Sequence, residues 1–473
     1  MGLSQSAALD AVRNIMQSAR AAELPRLERI HAAMQPIGPL RKSQVEVPID
    51  APNVMRRLAE KADTNLLPLV VKTFSQVLKI DGYYTASSPD RSTAWNYFQR
   101  NRMNAGQTGI HRSALQYGAS YATVLPGSQG PVSKGYSPRQ MTAVYSDPTW
   151  DEWPMLALDI DGQMLRLFDE EKVYYIGAQN PVRGTFQDDS VLGASANQFH
   201  YIESRSHDAG ICPVVRWRDR MLLDGEEQFG IVEPLMTVQA RINETVFGQL
   251  VAQFFAAFKQ KYVLGWIPKS EAEELRMGAS DIWYFADGKS EGMEVGSLPE
   301  TDLTRYISAK ESAMLDMAAQ GQLPAQNLGI PALSNISAET LAALEAGKER
   351  EADEIGTSLG ESWEQWFRLC SHLDGQAEAA ADYTSEVRWK DATARSFAQT
   401  VDGLGKLAQM LGLPSEILWE KVPTLTTQDI ERAKVIRTRE QARQGLAGLG
   451  FAAGAARQDP TVQQAVNQRA DAG

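Results

Sequence analysis

Residues 233–261, EPLMTVQARINETVFGQLVAQFFAAFKQK, constrain this chain more than any other stretch. Pro234 stands at a first helical position, where the missing N–H costs nothing and φ is already near the helical value. Leu235, Val238, Ile242, Val246, Leu250 and Phe254 then recur every three or four residues, the period of a helix with one apolar stripe. From Val246 onward Phe247, Val251, Phe255 and Phe258 join them, so the second half must be covered nearly all round. Gly248, Ala252 and Ala256 add a small-residue stripe at i, i+4 against which another backbone can approach closely. About 25 residues at about 1.5 Å each make a rod of roughly 37 Å that needs neighbours on several sides. It is too short for a membrane span: the strongly apolar part, Val246 to Phe258, contains Gln249 and Gln253 and falls well below the ~20 residues a bilayer requires.

A chain of 473 residues can bury a sizeable core and form several domains. With 43% hydrophobic and 22% charged residues it has the composition of a folded protein, not a disordered or fibrous one. Cys212 and Cys370 lie far apart, which argues against a disulfide framework. The opening MGLSQSAALDAVRNIMQ has no apolar h-region of a signal peptide. Its Gly2 and Ser6 fit the short myristoylation pattern, which has meaning only in a eukaryotic host. The formal charge of −12, from 59 acidic against 47 basic residues, argues against tight gripping of duplex phosphates.

Taken in order, residues 4–35 read as helical until PIGP breaks the pattern at Pro36 to Pro39. Ala51 to Ile80 carries helical periodicity, with a chain reversal expected at Asp81-Gly82. Ser92 to Met103 and Thr108 to Ala122 are further helices, the second passing into the strand-like GASYATV. From about Met141 short alternating runs predict a sheet of roughly 80 residues, with Asp161-Gly162 as a hairpin turn. After the long apolar helix, residues 262–299 form a compact insertion in which strand-like runs flank EAEELR, and Thr301 to Gln320 returns as a helix. Residues 321–336, GQLPAQNLGIPALSNI, are an uncharged loop, longer than a plain connector. Ser337 offers an N-cap to a helix reaching His372, in which Gly347, Gly356 and Gly360 predict bending. SEVRWKD reads as a strand able to rejoin the earlier sheet, and helical pieces follow up to an Ala/Gly/Gln-rich end expected to be mobile.

Catalytic signatures are sparse. Gly356-Thr357-Ser358-Leu359-Gly360 matches a G-x-S-x-G nucleophile elbow, but that motif needs a strand before it and a helix after it. A soluble serine hydrolase using Ser358 therefore stands only as the alternative reading. No G-x-x-x-x-G-K-[ST] phosphate loop occurs, and His31, His111, His200, His207 and His372 make no metal-binding pair. No catalytic, cofactor or metal site is expected. Tyr262, Trp266, Trp283 and Tyr284 crowd the insertion, either as a small core or as interface anchors.

The order of sheet, HDAGICPVVRWRDRMLLDGEEQFGIVEPLMTVQARINETVFGQLVAQFFAAF, small module, return helix, uncharged loop and SAETLAALEAGKERE resembles the portal proteins of long-tailed bacteriophages. The earlier WNYFQRNRMNAGQTGIHRSALQYGASYATV is similar to the N-terminal part of that family, and the resemblance covers roughly residues 50–400. It implies a mainly helical α+β portal fold with wing, stem, clip and crown, assembling into a ring with no chemistry of its own. On this resemblance 1–39 is an N-terminal arm, 40–232 the wing, 233–259 and 301–320 the stem helices, and 260–300 the clip. Residues 321–336 become the tunnel loop, 337–373 a long wing helix, 374–395 a wing strand, 396–444 the crown and 445–473 a flexible tail.

The resemblance further implies a twelve-fold ring at one capsid vertex, a channel for double-stranded DNA packaging and ejection, assembled in a bacterial host's cytoplasm and carried in the virion. Its partners are the terminase large subunit, then a head-completion adaptor, with major capsid and scaffold proteins around it and no membrane. Gln322, Gln326 and Asn327 are the expected DNA-facing residues of the tunnel loop, Gly248, Ala252 and Ala256 the stem packing stripe, and Tyr262, Trp266, Trp283 and Tyr284 the clip interface.

Overall fold

The computed structural model describes residues 2–36, 45–85, 92–160, 162–182, 199–223, 230–257, 261–264, 294–297, 302–330, 338–390, 397–412, 414, 418–419, 421–422, 425 and 429–443. The chain divides into two units, 1–390 and 391–473. In the second, α10 (Phe397–Leu411) and a helical stretch at 429–443 are described, with the Arg437 guanidinium 5.5 Å from the Trp419 ring centre.

The first unit begins with α1 (Gln5–Ile15), a π-turn over Met16–Arg20 and α2 (Ala21–Met34), which together run as one rod. Ser4 caps α1 through its hydroxyl, which accepts from the Ala7 N–H. The rod lies on a five-stranded antiparallel sheet of order β4-β5-β6-β7-β8: Met141–Val144, Leu156–Asp159, Gly162–Phe168, Lys172–Val182 and Phe199–Ser206. Strand alternation sorts the residues. Leu158, Leu165, Leu167, Tyr174 and Ile176 meet Ala8, Val12 and Ile15 of the rod. Ala157, Phe168 and Val173 form a second cluster with Tyr121, Tyr136 and Val214. Those last come from a three-stranded sheet, β3-β2-β9, made of Val132–Tyr136, Ala119–Leu125 and Val214–Arg218.

The main core is organised by α9 (Ala338–Leu373), 36 residues of unbroken helix. Ile355, Leu359, Trp363, Trp366, Phe367 and Cys370 are buried along it against α4 (Leu67–Val77), α5 (Trp95–Arg100), α6 (Met103–Tyr117) and β9. The glycines expected to bend the helix serve packing at two positions. A Cβ at Gly360 would sit 3.3 Å from Val387, and one at Gly356 3.7 Å from Trp389, so both glycines let β12 (Glu386–Trp389) lie against the helix. β12 pairs antiparallel with β1 (Ile80–Tyr84) in a two-stranded sheet of its own, not with the large one. Asp81 and Gly82 thus belong to a strand, where a register shift between Ile80 and Gly82 stands in place of the expected reversal. The Ala51–Ile80 segment also divides, into α3 (Asn53–Lys61) and α4.

At the centre of this core, the Trp363 indole donates to His111 Nε2 at 2.8 Å, and His111 Nδ1 lies 2.9 Å from the Leu78 carbonyl. An indole can only donate, so Nε2 accepts and the ring proton sits on Nδ1. Burial pushes His111 down from 6.5 to about 4. The neutral ring is therefore favoured in the fold, and stability falls as pH drops from 6.5 toward 4, by on the order of 3 kcal/mol in total from this group. In urea denaturation the raised carboxyls of Glu23, Asp219 and Glu364 work in the opposite sense between pH 7 and pH 4.5, so the His111 contribution is read as a difference: His111→Gln should lose less stability, or gain more, on going to pH 4.5 than the unsubstituted chain.

Candidate functional site: a helix pair and its loop

The stretch that opened the sequence forms a 3-10 turn at Glu233–Leu235 followed by α7 (Met236–Ala257). It runs beside α8 (Thr304–Gln320), which contributes Ala313, Met314, Met317 and Ala318 to the core alongside Leu235, Val238 and Ile242. At the far end Lys261–Leu264 and Glu294–Ser297 pair as the antiparallel strands β10 and β11. Trp266, Trp283 and Tyr284 lie outside the described residues, as does the side chain of Tyr262.

The base of α7 is fixed by amides. Gln239 and Asn243, one turn apart, are both buried. Gln239 Oε1 accepts from the Leu66 N–H at 2.8 Å, and its Nε2 donates to the Thr64 carbonyl at 2.8 Å and to Asn243 Oδ1 at 2.9 Å. Asn243 Oδ1 also accepts from the Thr64 N–H, and its Nδ2 donates to Asp63 at 2.8 Å. Glu233, just below, pairs with Arg26 at 2.6 Å and with Arg29, tying the start of the helix to α2. Sequence reading passed over these groups; two polar residues at i, i+4 inside an apolar stripe were the available signal.

The upper half of α7 has less cover. Val246, Phe247, Leu250 and Val251 are half-buried within the chain. On α8, Ile307 and Leu315 are 46% and 49% exposed. Gly248 meets an aromatic ring rather than a backbone: a Cβ there would stand 3.0 Å from Tyr306 of α8. Ala252 and Ala256 are half-buried.

α8 ends in a Schellman turn. The Leu323 N–H donates to the Ala318 carbonyl at 2.9 Å, and the Gln322 N–H to that of Ala319 at 3.3 Å. The left-handed position belongs to Gln322, at φ 49°, not to the neighbouring Gly321. For a residue with a Cβ that conformation costs on the order of 1 kcal/mol. Gln322 Nε2 reaches Glu351 Oε2 at 3.3 Å, while Glu351 Oε1 pairs with Arg220 at 2.7 Å. Arg220 also lies 3.3 Å from Asp219, whose carboxyl burial pushes up to about 7. Gln326 and Asn327, both half-buried, follow in a 3-10 turn at Ala325–Leu328, with Leu323 and Leu328 packed into the main core. Residues 331–336 of the expected loop lie outside the described residues.

Ser358 does not form an elbow. It sits inside α9 with no strand before it, and its hydroxyl donates to the Arg218 carbonyl at 2.9 Å. His372 Nε2 is engaged with the Ala209 carbonyl and both nitrogens of His111 are used, so neither imidazole is paired with that hydroxyl. Ser358 lines a cleft of about 1050 Å³ whose walls mix Arg216 and Arg218 with Glu361 and Glu364. Among the described residues no cluster of His, Cys, Asp or Glu could hold a metal ion, and no helix is long and apolar enough to cross a membrane.

Helices α7 and α8 thus run side by side and join a mixed helix-and-sheet core at their base. A family model described as phage portal protein, SPP1 Gp6-like, matches residues 19–443, and the chain belongs to that family, which is structural and not enzymatic. Among solved structures it is similar to a chain in the neck of an empty GTA particle computed with C6 symmetry. That likeness has a TM-score of 0.46 and 13% identity, covering 81% of this chain and 93% of that one. It is also similar to one in the virion of a native gene transfer agent particle, with a TM-score of 0.43 and 13% identity over 78% of this chain and 96% of that one. No curated protein matches the sequence.

The amide clamp at the base of α7 generates a test. Asn243→Ala leaves the Thr64 N–H and one Gln239 N–H buried without partners, so it should destabilise the fold by about 2–4 kcal/mol in chemical denaturation.

Proposed function

We propose that this chain assembles into a closed ring of about twelve copies at one vertex of a phage capsid, through which double-stranded DNA is packaged and ejected. Membership of the portal family supports the role, and the observation that carries the ring is the half-covered apolar flank of α7. Val246, Phe247, Leu250 and Val251, with Ile307 and Leu315 of α8, need a further apolar surface, and a neighbouring copy supplies one.

In this reading residues 233–259 and 301–320 are the stem, 260–300 the clip that meets the terminase and afterwards the head-completion adaptor, and 321–336 the tunnel loop. The arm 1–39, wing 40–232, long helix 337–373, wing strand 374–395, crown 396–444 and tail 445–473 complete the protomer. Ala252 and Ala256 pack toward the neighbouring stem, Tyr262, Trp266, Trp283 and Tyr284 toward the clip's partners, and Gln326 and Asn327 toward DNA, while Gln322, expected to face DNA, has its amide engaged by Glu351 at the start of the loop. Uncharged amides and a net charge of −12 suit a conduit, because strong phosphate neutralisation would hold the DNA in place.

The experiment is a paired charge on the flank. Val246→Asp with Leu250→Asp buries carboxylates against the neighbouring copy, so the particle mass should fall to that of the 52.1 kDa chain with its helical circular dichroism retained. Rings of unchanged mass would remove α7 from the subunit interface.

A further inference from the structure

We propose that Glu351, held by Arg220, is a positioning residue that locks the joint between α8 and the tunnel loop through Gln322, and so fixes where the loop's amides stand. This rests on the reading of 321–336 as the loop that meets DNA.

Gln322 is the residue to explain. The left-handed position of a Schellman turn is favoured by glycine, and a glycine is present one position earlier at 321, yet the chain places glutamine at φ 49°. A residue that accepts a disfavoured backbone conformation has a side chain worth keeping there. That side chain donates to Glu351 Oε2 at 3.3 Å.

Glu351 is well placed to hold it. Its side chain is only 11% exposed, and its other oxygen is taken by Arg220 at 2.7 Å. Arg220 in turn stands two residues past the end of β9 and lies 3.3 Å from the fully buried side chain of its neighbour Asp219. Of the two carboxylate contacts of Arg220, the one to Glu351 is the shorter, at 2.7 Å against 3.3 Å. The chain Asp219, Arg220, Glu351, Gln322 therefore runs from the rigid core sheet, across the long helix α9, to the end of α8. A cavity of about 470 Å³ lined by Arg220, Leu235, Gln320, Gly321, Gln322 and Glu351 lies alongside, which leaves the joint room to move once the lock is broken.

The lock makes a local prediction distinct from general stability. Gln322→Ala keeps the Cβ and the strained backbone but removes the amide, and as an exposed residue it will not prevent folding. Glu351→Ala removes the acceptor and leaves Arg220 to Asp219. In assembled rings followed by hydrogen exchange, both variants should speed exchange of the Gln322 and Leu323 amides by about five- to tenfold, with peptides of α7 unchanged. A photocrosslinker at Asn327 should then report a changed yield to bound duplex DNA at unchanged ring mass. Unaltered exchange in both variants would overturn the lock. Faster exchange with no crosslink to DNA from any ring, the unsubstituted one included, would keep the lock but overturn the assignment of this loop to the channel.

Discussion

The bond from the Trp363 indole to His111 Nε2 sits where α4, α5 and α6, the three-stranded sheet and α9 converge. Trp363 touches the rings of Phe98, Trp217 and Trp366, so one side chain joins α5, β9 and α9 itself. Such a cluster fixes the helix in rotation as well as in position, because aromatic rings tolerate few packings. β12 lies in its glycine groove and reaches β1, and its N-terminal half carries Glu351 to the end of α8.

The part of the fold visible in the sequence was the part set by local periodicity. The apolar pattern of 233–261 identified α7, and the short β-rich runs after Met141 identified the meander sheet, because helical and strand periods are written into consecutive residues. What escaped depended on partners far away. Gly356 and Gly360 read as weak points until Val387 and Trp389 are seen filling the space they leave. Asp81-Gly82 has the chemistry of a turn, but pairing with Arg388 across 307 positions makes it a strand. Ser358 carries a motif whose meaning depends on the strand it lacks.

The candidate site was legible in outline and hidden in detail. Gly248 was read as a place where another backbone could approach, and within the chain the ring of Tyr306 lies there instead. The residues that fix the stalk and the loop, Gln239, Asn243, Arg220 and Glu351, gave no comparable signal, since ordinary polar residues acquire significance only when burial leaves them a single set of partners. The family match across 19–443 supplies the class of protein; these contacts describe how this chain holds its stalk upright and the start of its loop in register.

Electron cryomicroscopy of the purified protein, with particle mass measured in the same sample, tests the central claim most directly. The account predicts closed rings of on the order of 600 kDa from the 52.1 kDa chain, with the α7–α8 pairs around a hole wide enough for duplex DNA. A protein that stayed monomeric when coexpressed with its capsid and scaffold proteins would contradict it.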